Sequence, residues 1–242
     1  MENEKYAKSI NLYNDHQGVV EYVEHMGSDL TIVNSARVSF GKHKAVLDEQ
    51  DKKLIKYLIK HRHTSTLEHN VVTFRFRLPL YVRSQHHRHR TWSFNEISRR
   101  YTEVGICFYE PNEFRTQHKS NRQASNENET INPVVYPDLS DIDMGISASM
   151  SIAEHHRNSL SLYRRLISAG VCREQARGVL PQNMYTEYYG TVNLNNLLKF
   201  IDLRSHKGAQ WEIQRVAEAC LEIATDLWPI SVQTYSELKA LR

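Results

Sequence analysis

The chain has 242 residues, 40% hydrophobic and 24% charged, with a net charge of +3, a composition that suits a globular protein with a sizeable core. That balance is too near neutral for an extended polyanion-binding stripe, and no apolar window approaches the ~18–20 residues that span a bilayer. Cys107, Cys172 and Cys220 are too widely spaced for a disulfide framework or a CxxC metal site, and no secretory pattern opens the chain, so a reducing, cytoplasmic setting is expected.

In chain order, residues 18–36 predict a short apolar strand, a turn at Gly27 and a helix starting at Ser28 or Asp29, and Arg37 to Phe40 connect onward. From Asp48 to His61, the residues Leu54, Ile55, Leu58 and Ile59 form the stripe of an amphipathic helix. Residues 61–70 read as a polar loop without core content. Val72, Phe74, Phe76 and Leu78 then alternate with Thr73, Arg75 and Arg77 as a half-buried strand. Pro79 closes that strand and suits the first turn of a helix carrying Gln85, Arg88 and His89 towards its far end.

A second short strand is expected over Val104 to Tyr109. Residues 113–141, rich in Asn, Ser, Gln and charge, read as an irregular surface excursion. Ile146 to Ala169 predicts a helix stopped by Gly170, residues 172–177 a short helix, and Tyr185 to Val192 a strand. Helices over Asn193 to Arg204 and Gln210 to Leu227 follow, the latter closed by Pro229, with a final helix after it. Tyr185, Tyr188 and Tyr189 read as sheet packing, and Trp211 and Ile213 as core or subunit contact. With no repeat and no linker, residues 1–242 read as one domain carrying the 113–141 excursion.

The chemistry concentrates between Arg83 and Tyr101. Arg83, Arg88, Arg90, Arg99 and Arg100 stand there against one acid, Glu96, among His86, His87, His89, Ser93, Asn95 and Ser98. Guanidinium forks suit phosphate and carboxylate oxygens, so this is an anion site. The nine glycines never fall closer than eight positions apart, which excludes both a GxGxxG turn and a Walker-type loop. Two rival classes fit less well. A nucleic-acid binder lacks a basic stripe outside this stretch. A metal hydrolase built on His61, His63, Glu68, His69 and the histidines at 86, 87 and 89 lacks a helix-borne pair such as HExxH, and its histidines sit among arginines that would repel a cation.

The run Arg88-His89-Arg90-x-x-Ser93-x-Asn95-Glu96-x-Ser98-x-Arg100 resembles, at every fixed position, the signature of the flavin-dependent thymidylate synthases. SARVSF at 35–40, His61-x-His63-x-Ser65-x-x-Glu68-His69, AR-x-VLP at 176–181, TVN at 191–193 and the 203–213 block ending in AQWEI are similar to further family blocks, in family order.

The resemblance implies an α+β fold, a central antiparallel or mixed sheet surrounded by helices. It implies methylation of dUMP to dTMP, with 5,10-methylenetetrahydrofolate as carbon donor and NADPH as reductant through bound FAD, in a homotetramer whose subunits share sites. It places Gln85, His86, His87, Arg88, Glu96, Ile97, Ser98, Arg99, Arg100, Arg177 and Arg204 at dUMP, with Arg204 catalytic. It places Ser39, His63, Ser65, Arg88, His89, Arg90, Thr91, Glu96, Asn193, Asn195 and Lys199 at FAD, and no metal. Lys199 and Gly208 stand where family members often carry other residues. Taken singly, His63 and His89 read as structural hydrogen-bonding groups, and Asn193 reads equally as a helix cap.

Overall fold

The computed structural model describes Tyr6 and residues 8–122, 124–136 and 145–240. Five strands form the main sheet: β1 (Ser9–Asn11), β2 (Val19–Met26), β3 (Val71–Pro79), β4 (Ser93–Glu96) and β9 (Tyr185–Asn193). Their spatial order is β1-β2-β3-β9-β4, and every pairing is antiparallel. The helices are α1 (Asp29–Arg37), α2 (Glu49–Lys60), α3 (Leu80–His86), α4 (Ala148–Ser168), α5 (Arg173–Ala176), α6 (Leu194–Arg204), α7 (Trp211–Leu227) and α8 (Pro229–Ala240). Two small ribbons pair β5 (Phe114–Gln117) with β6 (Ser125–Ile131), and β7 (Val134–Val135) with β8 (Ile146–Ser147).

Alternation along β3 decides which face of the sheet is covered. Val72, Phe74, Phe76 and Leu78 are wholly buried and sit opposite Val192, Gly190, Tyr188 and Thr186 of β9, while α6 and α7 pack behind this side of the sheet. The other face carries the intervening residues. There Arg75 spans Glu21 at 2.6 Å and Glu187 at 2.8 Å, and Thr73 meets Thr191 at 3.0 Å. A side-chain period of two puts all of one set inward, so a one-residue slip would bury these charges.

Local side-chain and backbone bonds fix the element ends. Asp48 accepts from the backbone N–H groups of Gln50 and Asp51 at the start of α2. Gly27 turns with φ +87°, a conformation that costs glycine least. Its carbonyl accepts Trp228 Nε1 at 3.2 Å, and buried Asp29 beside it accepts the Ile230 and Ser231 N–H groups at 3.0 Å. These bonds pin α8 to the start of α1 across some two hundred residues of sequence.

Four expectations change. Residues 104–109 do not form a strand: Gly105 takes φ +67° and only Phe108 pairs, as a bridge to Met184. The 61–70 segment contributes to the core after all, burying Thr66, Leu67 and Asn70. Strand β4, within the arginine-rich run, has no apolar alternation to announce it and exists because β9 offers it an edge. The excursion is largely an ordered ribbon, although residues 123 and 137–141 of it lie outside the described residues. Its Arg115 reaches a core carboxylate, Glu212, at 2.5 Å.

Candidate active site

Strand β4 sorts the arginine-rich run by register. Phe94 and Glu96 lie opposite Gly190 and Tyr188 on the covered side, whereas Ser93 and Asn95 face outward opposite Thr191 and Tyr189. Glu96 is thereby set between Arg83, 3.1 Å away, and the Thr186 hydroxyl, which donates to it at 2.6 Å. The chain then turns at 98–101, where Arg100 N donates to Ser98 Oγ at 3.3 Å.

A cleft of about 680 Å³ opens here, lined by Arg83, Glu96, Ile97, Ser98, Arg99, Arg177 and Thr186 among others. Arg99 is 7% exposed, and its Nη1 donates to the Val104 carbonyl at 2.7 Å. Its Nε is buried with no hydrogen-bond partner among the described residues. Burial pulls the Arg99 pKa down. A buried cation whose only partner here is a carbonyl favours an incoming anion. Arg177, in the 3₁₀ turn that follows α5, lines the same cleft.

A second cluster gathers at the ends of α3 and α6. Arg204, the last residue of α6, donates from Nε to His89 Nε2 at 3.0 Å and from Nη2 to the Gln85 carbonyl at 3.2 Å. The Gln85 carbonyl also accepts from the Arg88 backbone N–H at 3.3 Å, so Arg204 adds a second donor at the C-terminal turn of α3. Burial first, and then the Arg204 charge, lower the His89 pKa to about 4, so this ring is neutral at physiological pH and Nε2 is free to accept. The Gln85 side chain donates to Gln210, which in turn reaches Glu212.

A third cleft, about 240 Å³, lies between the end of α2, α6 and α8. Asn195, Lys199, Arg62, Asp202, Tyr235 and Lys239 line it over an apolar floor of Ile59, Leu67 and Leu238. Asn195 Nδ2 donates to Glu68 Oε1 at 2.8 Å, tying this cleft to the histidine-rich block.

The expected site residues therefore divide. Glu96, Ile97, Ser98, Arg99 and Arg177 share one cleft; Gln85, His89 and Arg204 form a bonded cluster; Asn195 and Lys199 line another cleft. Ser39, His63, Ser65, Arg88, Arg90, Thr91 and Arg100 are exposed on one chain and join none of these three groups. His63 stacks on Tyr57.

Three of the expected residues have structural partners within this chain. The His86 side chain is completely buried, bonded through Nδ1 to the Tyr188 hydroxyl at 2.8 Å among Phe76, Trp92, Phe94 and Phe200. It is a core group that a ligand cannot reach. Half-buried His87 lies stacked on Phe94. Asn193 caps α6, its Oδ1 accepting from Asn196 N at 2.9 Å. The sequence reading counted Arg83 in the anion-binding stretch without giving it a ligand, and left Thr186, Gln210 and Glu212 out of the site. Gln210 and Glu212 had a signal in the AQWEI block; Thr186 joins the site only through folding.

Comparison with known proteins identifies the family and the fold. A family model described as thymidylate synthase complementing protein matches residues 21–230. A flavin-dependent thymidylate synthase from Thermus thermophilus is 40% identical over 221 residues, covering 91% of this chain and 76% of that protein. One from Kosmotoga olearia is 40% identical over 219 residues, 90% of each chain. The crystal structure of the UMP/dUMP methylase PolB from Streptomyces cacaoi bound with 5-Br dUMP superposes with a TM-score of 0.76 at 32% identity, covering 94% of this chain and 97% of that one. With the arginine-rich run, the antiparallel sheet and the match over most of its length, this chain belongs to the thymidylate synthase complementing protein family, the flavin-dependent thymidylate synthases.

Proposed function

We infer that this chain carries out the reductive methylation of dUMP at C5 to give dTMP, with FAD, 5,10-methylenetetrahydrofolate and NADPH. The observation that carries the reading is the cleft in which Arg99, a buried cation without an acidic partner, and Arg177 flank Glu96 and Ser98 of the signature. A nucleotide monophosphate brings close to two negative charges to such a place, and charge-assisted bonds hold it there. Ser98 is a binding group and not a nucleophile. Cys220 is buried, with its thiol pKa pushed up by that burial. Covalent attack by this thiol has no support here.

Arg204 acts on the pyrimidine. Its Nε and one Nη are held by His89 and Gln85, which leaves its remaining N–H groups for the ring. A guanidinium there stabilises negative charge as N3 ionises, which makes C5 more nucleophilic. Neutral His89 keeps that cation oriented without competing with it.

The donor set of the third cleft fits part of a dinucleotide: Arg62 and Lys199 for phosphate oxygens, Asn195 for polar edges, and an apolar floor for a flat ring, with Lys239 paired to Asp202 at 2.7 Å. FAD, when bound, supplies the redox and one-carbon chemistry. Sharing of sites in a homotetramer is supported by the exposed signature residues Arg88, Arg90 and Thr91. It is supported too by Val38, Phe40, Val46, Tyr101 and Val104, each at least 70% exposed on one chain. We place the activity in the cytoplasm.

The test is tritium release from dUMP labelled at C5, measured anaerobically with flavin-loaded protein, methylenetetrahydrofolate and NADPH, omitting each in turn. Release that requires the folate and the flavin is expected. A folded, flavin-loaded protein that releases none would overturn the reading.

A further inference from the structure

The orientation of the Gln85 amide is set from outside the nucleotide cleft. Glu212 is 4% exposed, and an ionised carboxylate only accepts hydrogen bonds. Its Oε1 takes Arg115 Nη2 at 2.5 Å, and its Oε2 takes Gln210 Nε2 at 2.8 Å. Gln210 must therefore turn its amino group towards Glu212 and its carbonyl away. That carbonyl accepts from Gln85 Nε2, which leaves Gln85 presenting its own carbonyl oxygen.

A lone glutamine turns its amide over at little cost. One tied through a second amide to a fixed anion does so only by setting like groups against each other. The anion is itself well anchored. Arg115 Nε donates to Ser125 Oγ at 3.0 Å across the β5–β6 ribbon, and its guanidinium lies 4.8 Å from the Trp211 ring centre. The Tyr13 hydroxyl donates to the Glu212 carbonyl at 3.1 Å.

We propose that Gln210, Glu212 and Arg115 are positioning residues that hold the Gln85 amide oxygen towards the nucleotide, so that it accepts from a ring N–H or a sugar hydroxyl of the pyrimidine nucleotide. The β5–β6 ribbon thus tunes nucleotide binding without touching the ligand. This rests on the dUMP reading above.

The test measures dUMP binding to flavin-loaded protein by calorimetry. Gln210→Met removes the relay while leaving the Glu212–Arg115 pair intact, so the fold is not at stake. It should weaken dUMP binding about three- to tenfold, the worth of one hydrogen bond, with flavin content unchanged. Glu212→Gln, which keeps the shape and frees the polarity, should do the same. Gln85→Ala/Gln210→Met should bind no more weakly than Gln85→Ala alone, because Gln210 acts through Gln85. Unchanged affinity in Gln210→Met, or losses that add in the double variant, overturns the relay while the function stands. Wild-type protein that binds no dUMP overturns both.

Discussion

Arg204 Nε donates to His89 Nε2 at 3.0 Å, so a residue expected at the flavin and a residue expected at the pyrimidine form one unit. The bond needs a neutral imidazole. Protonation would remove the acceptor and set two cations against each other. With the His89 pKa lowered to about 4, the Arg204–His89 bond should hold through pH 6.5 and fail only as pH drops towards 4. The check is the His89 ring proton shift by NMR against pH, a readout separate from the dUMP phosphate, which takes up its own proton at about pH 6; a ring that titrates near pH 6.5 would contradict it.

The same ring makes a statement about stability. Its folded pKa lies below the ordinary value of 6.5, so as pH falls the unfolded chain takes up this proton first. The His89 contribution therefore turns against folding from about pH 6.5 downward and levels off below pH 4. Buried His86 is shifted in the same direction, by burial and then by His89, His87 and Arg204. Denaturant midpoints should fall between pH 6.5 and 4, and replacing His89 with Gln should reduce the slope.

Arg204→Ala should leave flavin bound and reduce dTMP formation by about 10²–10³-fold, the effect of removing one preorganised donor at a developing oxyanion. Single-turnover kinetics with measured flavin content test this. Normal turnover would take Arg204 out of the chemistry.

Arg177→Ala should weaken dUMP binding roughly tenfold or more, since a charge-assisted bond is worth about 1.5–3 kcal/mol. Flavin content should not change, because Arg177 lines the cleft of Glu96 and Ser98 and not that of Asn195 and Lys199. Titration of dUMP into the variant is the measurement.

Arg115→Ala should destabilise the protein by about 3 kcal/mol, because it leaves the buried Glu212 carboxylate without its cation. Deleting residues 115–140 should cost at least as much, whereas the composition of that stretch predicts a dispensable surface loop. Chemical denaturation of both variants separates these outcomes.

Gly190→Ala should cost about 1–3 kcal/mol, since a Cβ at that position would stand 2.9 Å from Phe76 and 3.2 Å from Trp92. Trp92 precedes β4, so the strain is delivered to the signature strand as well. Tryptophan fluorescence during unfolding reports both effects.

What the chain settled without folding was local. Leu54 to Ile59 and the 210–227 stripe carry the helical period, Val72 to Leu78 the strand period, and Asn193 its cap, because each depends on neighbours within a few residues. The spacing of the arginine-rich signature likewise announces the family. Folding alone decided the rest, because the partners are far apart in sequence. Strand β4 exists through pairing with β9, His86 is buried by aromatics brought in from three other segments, and Gln85 is oriented by Glu212, more than a hundred residues away. A side chain's role in the site follows from what lies across from it, and no pattern along the chain records that distance.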